Sequence, residues 1–286
     1  MKILSFGEII WDIYPDKSCI GGAPLNFSAH AAKRGADSYL LSSVGDDELG
    51  REALLWLDRF GVKGELVGII KGKPTGKCKV SLDEMGIPKY ILEENTAYDS
   101  IELIGGVLSS HFDAISFGTL ALRNDKNRHS IAKMLENHIA DTVFCDLNLR
   151  SPFYTEDTVS FALENTDILK INETELNYLR NEILNTRELD YSYTLQSLCS
   201  KYKGIKLILL TCGEKGAYAY SASDGKIMYR QAKKADVIST VGAGDSFGAV
   251  FLTEFFLGKE LETCLDSAIC VSAQVVSHKE AVPLDI

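Results

Sequence analysis

The stretch from Ser38 to Gly61, SYLLSSVGDDELGREALLWLDRFG, combines the two hydrophobic periods that decide the fold class. Its first part, Ser38–Val44, is a short apolar run typical of a buried strand, and its second part repeats apolar residues at helical spacing. Gly61 stands where a helix commonly ends, because glycine adopts the left-handed backbone without strain. The stretch therefore predicts a strand followed by a helix, the repeating unit of a mostly parallel sheet covered by helices.

The same alternation extends along the chain. Further runs that predict central strands are Ile3–Ile9, Ala114–Phe117, Thr142–Cys145, Ile168–Ile171 and Lys206–Thr211. Helical patterns lie between these runs, and residues 243–278 predict two helices separated by Gly258. Since no linker, repeat or charge block divides the chain, we expect one α/β domain over residues 1–286.

Two segments depart from the alternation. Residues 75–94 contain two alternating runs around a Gly-Pro-containing turn, which predicts a β-hairpin with one polar face. A second hairpin is predicted around Asp224-Gly225. The first hairpin is expected to form a small β excursion from the α/β domain.

The composition excludes some classes of function. The chain has 30 basic and 40 acidic residues and a net charge of −10, so its surface repels phosphate backbones and nucleic-acid binding is not expected. A nucleotide substrate stays compatible, because Mg²⁺ and a helix N-terminus neutralise phosphates locally. Glu8 and Asp12 interrupt the apolar N-terminal stretch, which predicts neither a signal peptide nor a membrane span.

The seven cysteines form no CxxC pair and several lie in apolar runs. Buried reduced thiols are therefore expected rather than a disulfide framework or a zinc site. Reduced thiols indicate a reducing compartment, and we expect a cytoplasmic protein.

The strongest chemical signal is residues 240–247, TVGAGDSF, followed by an apolar helical run. Gly242, Ala243 and Gly244 at a helix start leave backbone N–H groups open to an anion, which the helix dipole also favours. Asp245 is badly placed to bind a phosphate but well placed to take a proton from a hydroxyl group. An anion hole beside a base indicates phosphoryl transfer. An ordinary glycine turn with an acid in the first helical turn would have the same sequence.

Residues 21–26, GGAPLN, form a second candidate near the N-terminus. Gly22 precedes a helix start with Pro24 near its first position, so the loop is tight and a ligand can approach its backbone. Asn26 offers an amide to a polyol, and Asp12 is a second candidate ligand for a hydroxyl group. Taken singly, each of these residues is also typical of a cap or a turn.

Three predicted strand ends carry further polar residues, at the edge where α/β sheets bind ligands. These are Asp146–Arg150, Asn172–Glu175 and Thr211–Gly216. Arg150 would contact a phosphate, while Asn172 and Glu175 would orient a hydrated Mg²⁺. A helix N-cap with a capping-box acid explains Asn172 and Glu175 equally well.

Motifs that the chain lacks narrow the class of enzyme. The sequence contains no GxxxxGK[ST], so it is not a P-loop nucleoside triphosphatase, and no GxGxxG follows the first strand. The five histidines show no HExxH or other ligand spacing. A dinucleotide enzyme and a histidine-centred mechanism are therefore not indicated.

Together these motifs resemble the ribokinase-like, or PfkB, carbohydrate kinases over nearly the whole chain. The matching stretches follow in the family's order: Gly21-Gly22-Ala23 with Asn26, Val44–Gly50, Asp146–Arg150, Asn172–Glu175 and Thr240–Asp245. Within the family, the N-terminal half with Pro24 resembles bacterial fructokinases.

This resemblance implies a three-layer α/β/α sandwich with a small β-sheet lid formed by parts of residues 10–20 and 75–94. It implies Asp245 as the base and residues 242–244 as the anion hole. The residues facing the sugar would be Asp12, Gly22, Asn26 and Arg150. The residues at the ATP site would be Asn172, Glu175, Thr211, Gly213 and Gly216, with Glu175 holding Mg²⁺ through water.

The resemblance also implies an ATP-dependent kinase that converts D-fructose to fructose 6-phosphate. Ribose, 2-keto-3-deoxygluconate or a nucleoside are alternative acceptors, and a non-catalytic sugar-binding protein is an alternative from another class. Pairing of two lids would give a homodimer.

Two positions depart from the family pattern. Ser239 stands where the family's C-terminal signature usually has aspartate, which helps hold a monovalent cation in members that need one, so we expect little dependence on K⁺. Glu280-Ala281 stands in place of Gly-Ala, and no consequence follows from the sequence.

Overall fold

The structure, a computed structural model, describes residues 1–82 and 88–286. Among these residues, nine strands form one large sheet. In spatial order they are β13 (Ile227–Arg230), β12 (Ala217–Ser221), β11 (Leu207–Thr211), β10 (Ile168–Asn172), β9 (Ala140–Asp146), β8 (Phe112–Gly118), β1 (Lys2–Phe6), β4 (Asp37–Gly45) and β5 (Val67–Ile70). The strands from β11 to β5 run parallel, while β12 and β13 add an antiparallel hairpin at one edge.

The α-helices lie on both faces of this sheet. They are α1 (Ala23–Lys33), α2 (Glu48–Arg59), α3 (Asp125–Glu136), α4 (Glu156–Glu164), α5 (Glu173–Tyr178), α6 (Tyr191–Lys201), α7 (Ala243–Phe256) and α8 (Leu261–Val275). Short 3₁₀ turns cover Ala97–Ser100, Val107–Ser109, Ala121–Arg123 and Gly213–Lys215, and a π-helical turn, Leu179–Ile183, continues α5.

Alternate residues of the central strands face the two helical layers, as the pleat of a strand requires. In β1, Ile3 belongs to the hydrophobic cluster that contains Phe251 of α7. The next residue, Leu4, belongs to the cluster that contains Ile131 of α3. The molecule is therefore a three-layer α/β/α sandwich, and the predicted fold class is confirmed.

Glycines end the first two helices, and for Gly61 this was expected. Gly35 has a φ of 84° and Gly61 a φ of 70°, both in the left-handed region. The hairpin predicted around Asp224-Gly225 is formed by β12 and β13, which pair antiparallel. No helix in the described parts of the chain is long and apolar enough to cross a membrane.

A second, four-stranded sheet lies apart from the main one. It contains β2 (Ile10–Ile13), β3 (Ser18–Gly21), β6 (Gly76–Leu82) and β7 (Pro88–Leu92), in the order β3-β2-β6-β7. Strands β6 and β7 pair antiparallel, as the predicted hairpin requires, although its turn falls at residues 83–87, outside the described residues. We call these four strands the small sheet; that it acts as a lid remains a prediction.

The predicted first strand, Ile3–Ile9, was too long. Strand β1 ends at Phe6, and the following Gly7 has a φ of 148°, a conformation that residues with a side chain rarely adopt. A Cβ on Gly7 would also lie 2.5 Å from Cγ of Pro24. The chain therefore leaves the main sheet at Gly7 and enters the small sheet at Ile10.

Candidate active site

The N-terminus of α7 contains the residues predicted to form an anion hole. Gly242 caps the helix with a φ of 81°, and Ala243, Gly244 and Asp245 form the first turn. A Cβ on Gly242 would lie 2.6 Å from the carbonyl oxygen of Ala281, so glycine is required here. Because the first amides of a helix have no partner within it, this turn directs N–H groups at one place, although that of Ala243 also donates a long bond of 3.4 Å to the carbonyl oxygen of Thr240.

Asp245 contacts the other predicted loop directly. Its Oδ2 accepts a hydrogen bond of 2.8 Å from Nδ2 of Asn26. Desolvation raises the pKa of Asp245 to about 6, the negative charge of Asp146 adds to this, and the Asn26 hydrogen bond and the charges of Lys170 and Arg150 oppose it. At neutral pH the carboxylate is ionised but close enough to its pKa to accept a proton.

The helix N-terminus of α1 lies on the same side of the site. Gly22 caps this helix with a φ of 112°, and a Cβ on it would lie 2.4 Å from the carbonyl oxygen of Glu8. Asn26 is 3% exposed, and its Oδ1 has no hydrogen-bond partner among the described residues. A buried acceptor without a partner is costly, so this oxygen suits a hydroxyl donor from a ligand.

Asp12 reaches this region from β2 of the small sheet. Burial raises its pKa to about 6, and the positive charge of Arg150 partly opposes that rise. The charge of Arg150 also acts on Asp245 and on Glu8. Of the four residues predicted to face the sugar, Asn26 contacts Asp245 and Arg150 acts on it through its charge, while Asp12 is linked to the group through Arg150.

Glu8 belongs to the same group, although the sequence analysis gave it no role in the site. It is 4% exposed, and its Oε1 accepts a hydrogen bond of 3.3 Å from the backbone N–H of Ala23. Burial raises its pKa to about 7, with the charge of Asp245 as a further cause. The only sequence signal was an acid within an apolar run, which shows burial but not what the acid faces.

Asn172 and Glu175 form the capping box that was the alternative interpretation of their sequence. Asn172 Oδ1 accepts a hydrogen bond of 2.9 Å from the N–H of Glu175, and Glu175 Oε2 accepts one of 2.9 Å from the N–H of Asn172. Glu175 Oε1 also accepts a 3.0 Å bond from the N–H of Leu149, which joins the segment after β9 to α5. Burial raises the pKa of Glu175, and the charge of Asp146 adds to it.

These contacts decide how Glu175 would meet a metal ion. Both of its oxygens already accept backbone hydrogen bonds, so contact through a water molecule fits better than direct ligation. The described residues contain no group of three or more acids, histidines or cysteines able to hold a metal. Contact with Glu175 through water fits Mg²⁺, which keeps several waters and takes further ligands from the phosphates of a nucleotide.

A cavity of about 1000 Å³ opens beside the first turn of α7. The predicted ATP-site residues Thr211, Gly213 and Gly216 line it, and so do Ala243 and Gly244 of the anion hole. Its volume suits a nucleotide-sized ligand. The residues predicted to face the sugar do not line it, and neither do Asn172 and Glu175.

Three lysines of this cavity were missed by the sequence analysis. Lys215, Lys233 and Lys234 line it and would attract a polyphosphate. Lys215 is also tied to α5, because its Nζ lies 2.9 Å from Oε1 of Glu173. Lysines in loops are so common that their sequence carries no specific signal.

A buried ion pair lies under the site, of which the sequence analysis named Asp146 but not Lys170. Lys170 in β10 and Asp146 at the end of β9 are joined at 2.7 Å, and their side chains are 6% and 13% exposed.

Ser239, the departure from the family signature, caps the turn before α7. Its Oγ accepts a 3.2 Å hydrogen bond from the N–H of Val241, and its own N–H donates to the carbonyl of Val276 at 3.1 Å.

Comparisons with known proteins show the family of the chain. The sequence model of the family described as pfkB family carbohydrate kinase matches residues 17–285 of this chain. Fructokinase-2 of Solanum lycopersicum is 26% identical over 278 residues, covering 88% of this chain and 81% of the relative. The 5-dehydro-2-deoxygluconokinase of Listeria innocua serovar 6a is 26% identical over 273 residues, covering 90% and 81%.

Solved structures share the fold. The crystal structure of fructokinase from Vibrio cholerae O395 with fructose, ADP and a calcium ion superimposes with a TM-score of 0.83 and 23% identity, covering 99% of this chain and 95% of that one. With its family match and its order of motifs, the chain belongs to the pfkB family of carbohydrate kinases.

Proposed function

We propose that this carbohydrate kinase transfers the γ-phosphoryl group of ATP to a hydroxyl group of a neutral sugar, D-fructose before other acceptors, giving fructose 6-phosphate. The observation that carries the proposal is the position of Asp245. It lies in the helix turn that borders the nucleotide-sized cavity, and it accepts a hydrogen bond from Asn26 in the first part of α1.

In the proposed reaction Asp245 takes the proton from the attacking hydroxyl group. The amides of residues 242–244, aided by the helix dipole, stabilise charge on the transferring group. Asn26 holds the carboxylate with its Nδ2 and offers its free Oδ1 to the sugar. Asp12, Gly22 and Arg150 complete the sugar side.

ATP would occupy the cavity lined by Thr211, Gly213 and Gly216. A divalent ion bound with it, Mg²⁺ in our proposal, would shield the phosphate charge. Asn172 and Glu175 would hold that ion through water.

Burial around Asp245 favours a neutral acceptor. Burial raises the pKa of Glu8, Asp12 and Asp245, so negative charge is disfavoured there, although the charge of Arg150 opposes the rise in each case. A carboxylate on the acceptor, as in 2-keto-3-deoxygluconate, would meet the same desolvation penalty. A relative named for fructose and one named for a gluconate derivative have the same sequence identity to this chain, 26%. We therefore choose between neutral and acidic acceptors by charge and not by sequence identity.

Fructose is preferred over ribose on resemblance alone. The loop with Pro24 resembles fructokinases, and several relatives bear that name. The only argument for the non-catalytic alternative is the departure at Ser239, whose hydroxyl caps its own turn.

The test is ADP release from MgATP by the purified protein with fructose, ribose, glucose, 2-keto-3-deoxygluconate and adenosine. We expect fructose to be fastest and the acidic acceptor slow. If the acidic acceptor is fastest, the charge argument is wrong while the kinase assignment stands. If none reacts although ATP binds, the protein is a non-catalytic sugar-binding member of the family.

The proposal extends to location and assembly. All seven cysteines are free thiols, which suits the reducing cytoplasm.

Strand β7 at the edge of the small sheet exposes 49% of Ile91, and we propose that two small sheets pair there in a homodimer. Equilibrium sedimentation tests this: a monomer at micromolar concentration would contradict it.

A further inference from the structure

Lys170 is a charged residue in the middle of a buried strand. Its neighbours in β10, Leu169 and Ile171, are fully buried, and Lys170 itself is 5% exposed. Its Nζ donates to Oδ2 of Asp146 at 2.7 Å. Removing such a pair in favour of apolar residues is often neutral for stability, so folding alone gives little reason for it.

The lysine lies directly beneath the N-terminus of α7. A Cβ placed on Gly244 would be 3.1 Å from Nζ of Lys170, and one on Gly248 would be 3.4 Å from its Cδ. These two glycines therefore let the helix approach the lysine side chain closely. The ammonium group comes to lie under the turn whose amides form the proposed anion hole.

A carboxylate is in direct contact with this buried amine. Asp146 Oδ2 accepts the 2.7 Å hydrogen bond from Lys170 Nζ, and the two side chains are 13% and 6% exposed. A buried lysine paired with a carboxylate carries its positive charge, and screening by solvent is weak at such a place.

We propose that Lys170 is a positioning residue for phosphoryl transfer, whose buried ammonium group adds positive potential to the anion hole at residues 242–244. This inference rests on the proposed function. Removing one directly bonded donor from such a hole lowers kcat by about 10²–10³. Lys170 acts through the turn without touching the substrate, so we expect a smaller effect, about tenfold to a hundredfold.

The competing explanation is that Lys170 only neutralises Asp146. A matched pair of variants separates the two: Asp146→Asn, and the double variant Asp146→Asn with Lys170→Met. Both lack the carboxylate of Asp146, so they differ only in the lysine charge. The double variant also avoids the unpaired buried carboxylate that Lys170→Met alone would leave.

We expect kcat of the double variant to be about tenfold to a hundredfold below that of Asp146→Asn, with KM for both substrates within about threefold, because the potential acts on charge that develops in the transition state. Equal kcat values in the two variants, or a loss confined to the KM for ATP, would overturn the proposal.

A binding measurement covers the case in which Asp146→Asn itself is too slow to assay. MgADP with aluminium fluoride and sugar mimics the transferring group, and calorimetry of this mixture should show about tenfold weaker binding to the double variant, with MgADP alone unchanged. Equal affinities would overturn the proposal. The wild-type protein is assayed alongside: no sugar-dependent ADP release there refutes the proposed function itself, whereas an active wild type with equal variants refutes only the role of Lys170.

Discussion

Asp245 is the residue on which the proposed chemistry depends most directly. In Asp245→Asn the amide oxygen still accepts the hydrogen bond from Asn26, so the local structure should survive. An amide does not take a proton at neutral pH, so kcat should fall by ~10²-fold or more while sugar affinity is largely kept. Steady-state kinetics and calorimetry test this. A variant that keeps a large part of the wild-type kcat would show that Asp245 is not the base.

The pKa of Asp245 predicts the pH dependence of the reaction. Its pKa is raised from 3.8 to about 6, so the base becomes protonated, and thus inactive, at a higher pH than an ordinary aspartate would. We expect kcat/KM to fall about tenfold per pH unit below that value and to level off above it. An acid limb near the ordinary value of an aspartate would contradict the expectation.

Glu8 provides a control for the origin of that limb. Burial and the charge of Asp245 raise the pKa of Glu8 to about 7, so this acid is mostly protonated where Asp245 titrates. Glu8→Gln carries no charge at any pH and should leave the acid limb near its wild-type position. Loss of the limb in this variant would mean that Glu8, rather than Asp245, controls it.

At the residue scale, sequence reasoning reached the glycines, Asp245 and Asn26 because their spacing has a specific mechanism. It missed Glu8 and Lys170 because an isolated charge in an apolar strand indicates burial, not the partner across the fold. For Asn172 and Glu175 the pattern left a capping box and a ligand site open, and the structure contains the capping box, which does not exclude the other role.

At the scale of elements, the segment after α8 links α1 to the candidate site. The ring Nε2 of His30 lies 2.9 Å from the carbonyl oxygen of Ala281, and that residue packs against Gly242 at the cap of α7. Lys33 Nζ donates to the carbonyl of Ile286 at 2.9 Å. These contacts use the backbone of the segment, so the unusual Glu280 leaves them intact.

His30 makes this link sensitive to pH. Burial lowers its pKa from 6.5 to about 4, so the native state disfavours the charged ring. A lowered histidine pKa means that unfolding takes up a proton below pH 6.5, and the stability present at neutral pH is lost as the pH falls toward 4. His30→Gln does not titrate and is the matched control.

Urea unfolding at pH 7.5 and pH 4.5 tests the effect of His30. Over this interval the wild type should lose about 2 kcal/mol of unfolding free energy relative to His30→Gln. The comparison cancels the opposite trend of the buried acids, whose raised pKa values favour the native state as pH falls. Parallel pH profiles for the two proteins would exclude a buried neutral His30.

The turn before α7 predicts the response to monovalent cations. Ser239 offers a neutral hydroxyl that already accepts the N–H of Val241. Adding K⁺ to a sodium-free assay should therefore change kcat little, and Ser239→Asp, which restores a carboxylate, should introduce stimulation. A many-fold rise in the wild-type kcat on adding K⁺ would contradict this prediction.

At the scale of the whole molecule, the layers and most strands followed from hydrophobic periods, because buried parallel strands and amphipathic helices have distinct patterns. The break at Gly7 did not, since apolar residues resume at Ile9 and Ile10 directly after Gly7 and Glu8. Nor did the parallel pairing of β2 with β6, which joins segments far apart in sequence. Such pairing depends on tertiary packing, which one-dimensional patterns do not contain.

The placement of the sugar-facing residues on both the small sheet and the sandwich predicts that a bound sugar closes the small sheet over the site. Asp12 belongs to the small sheet, whereas Asn26 and Asp245 belong to helices of the sandwich. A sugar held by all three would tie the sheets together and close the small sheet over the site. Fructose should then slow amide hydrogen exchange in the strands of the small sheet, residues 10–21 and 76–82.

Two controls test whether the protection of the small sheet is specific to the sugar and depends on Asp12. MgADP alone should protect residues 211–217 beside the cavity but not the small sheet, because the nucleotide would touch only the former. Asp12→Ala should abolish the protection by fructose while leaving that by MgADP. If fructose protects α1 and α7 but leaves the small sheet unchanged, the sugar binds without closing it, and the small sheet is not a lid.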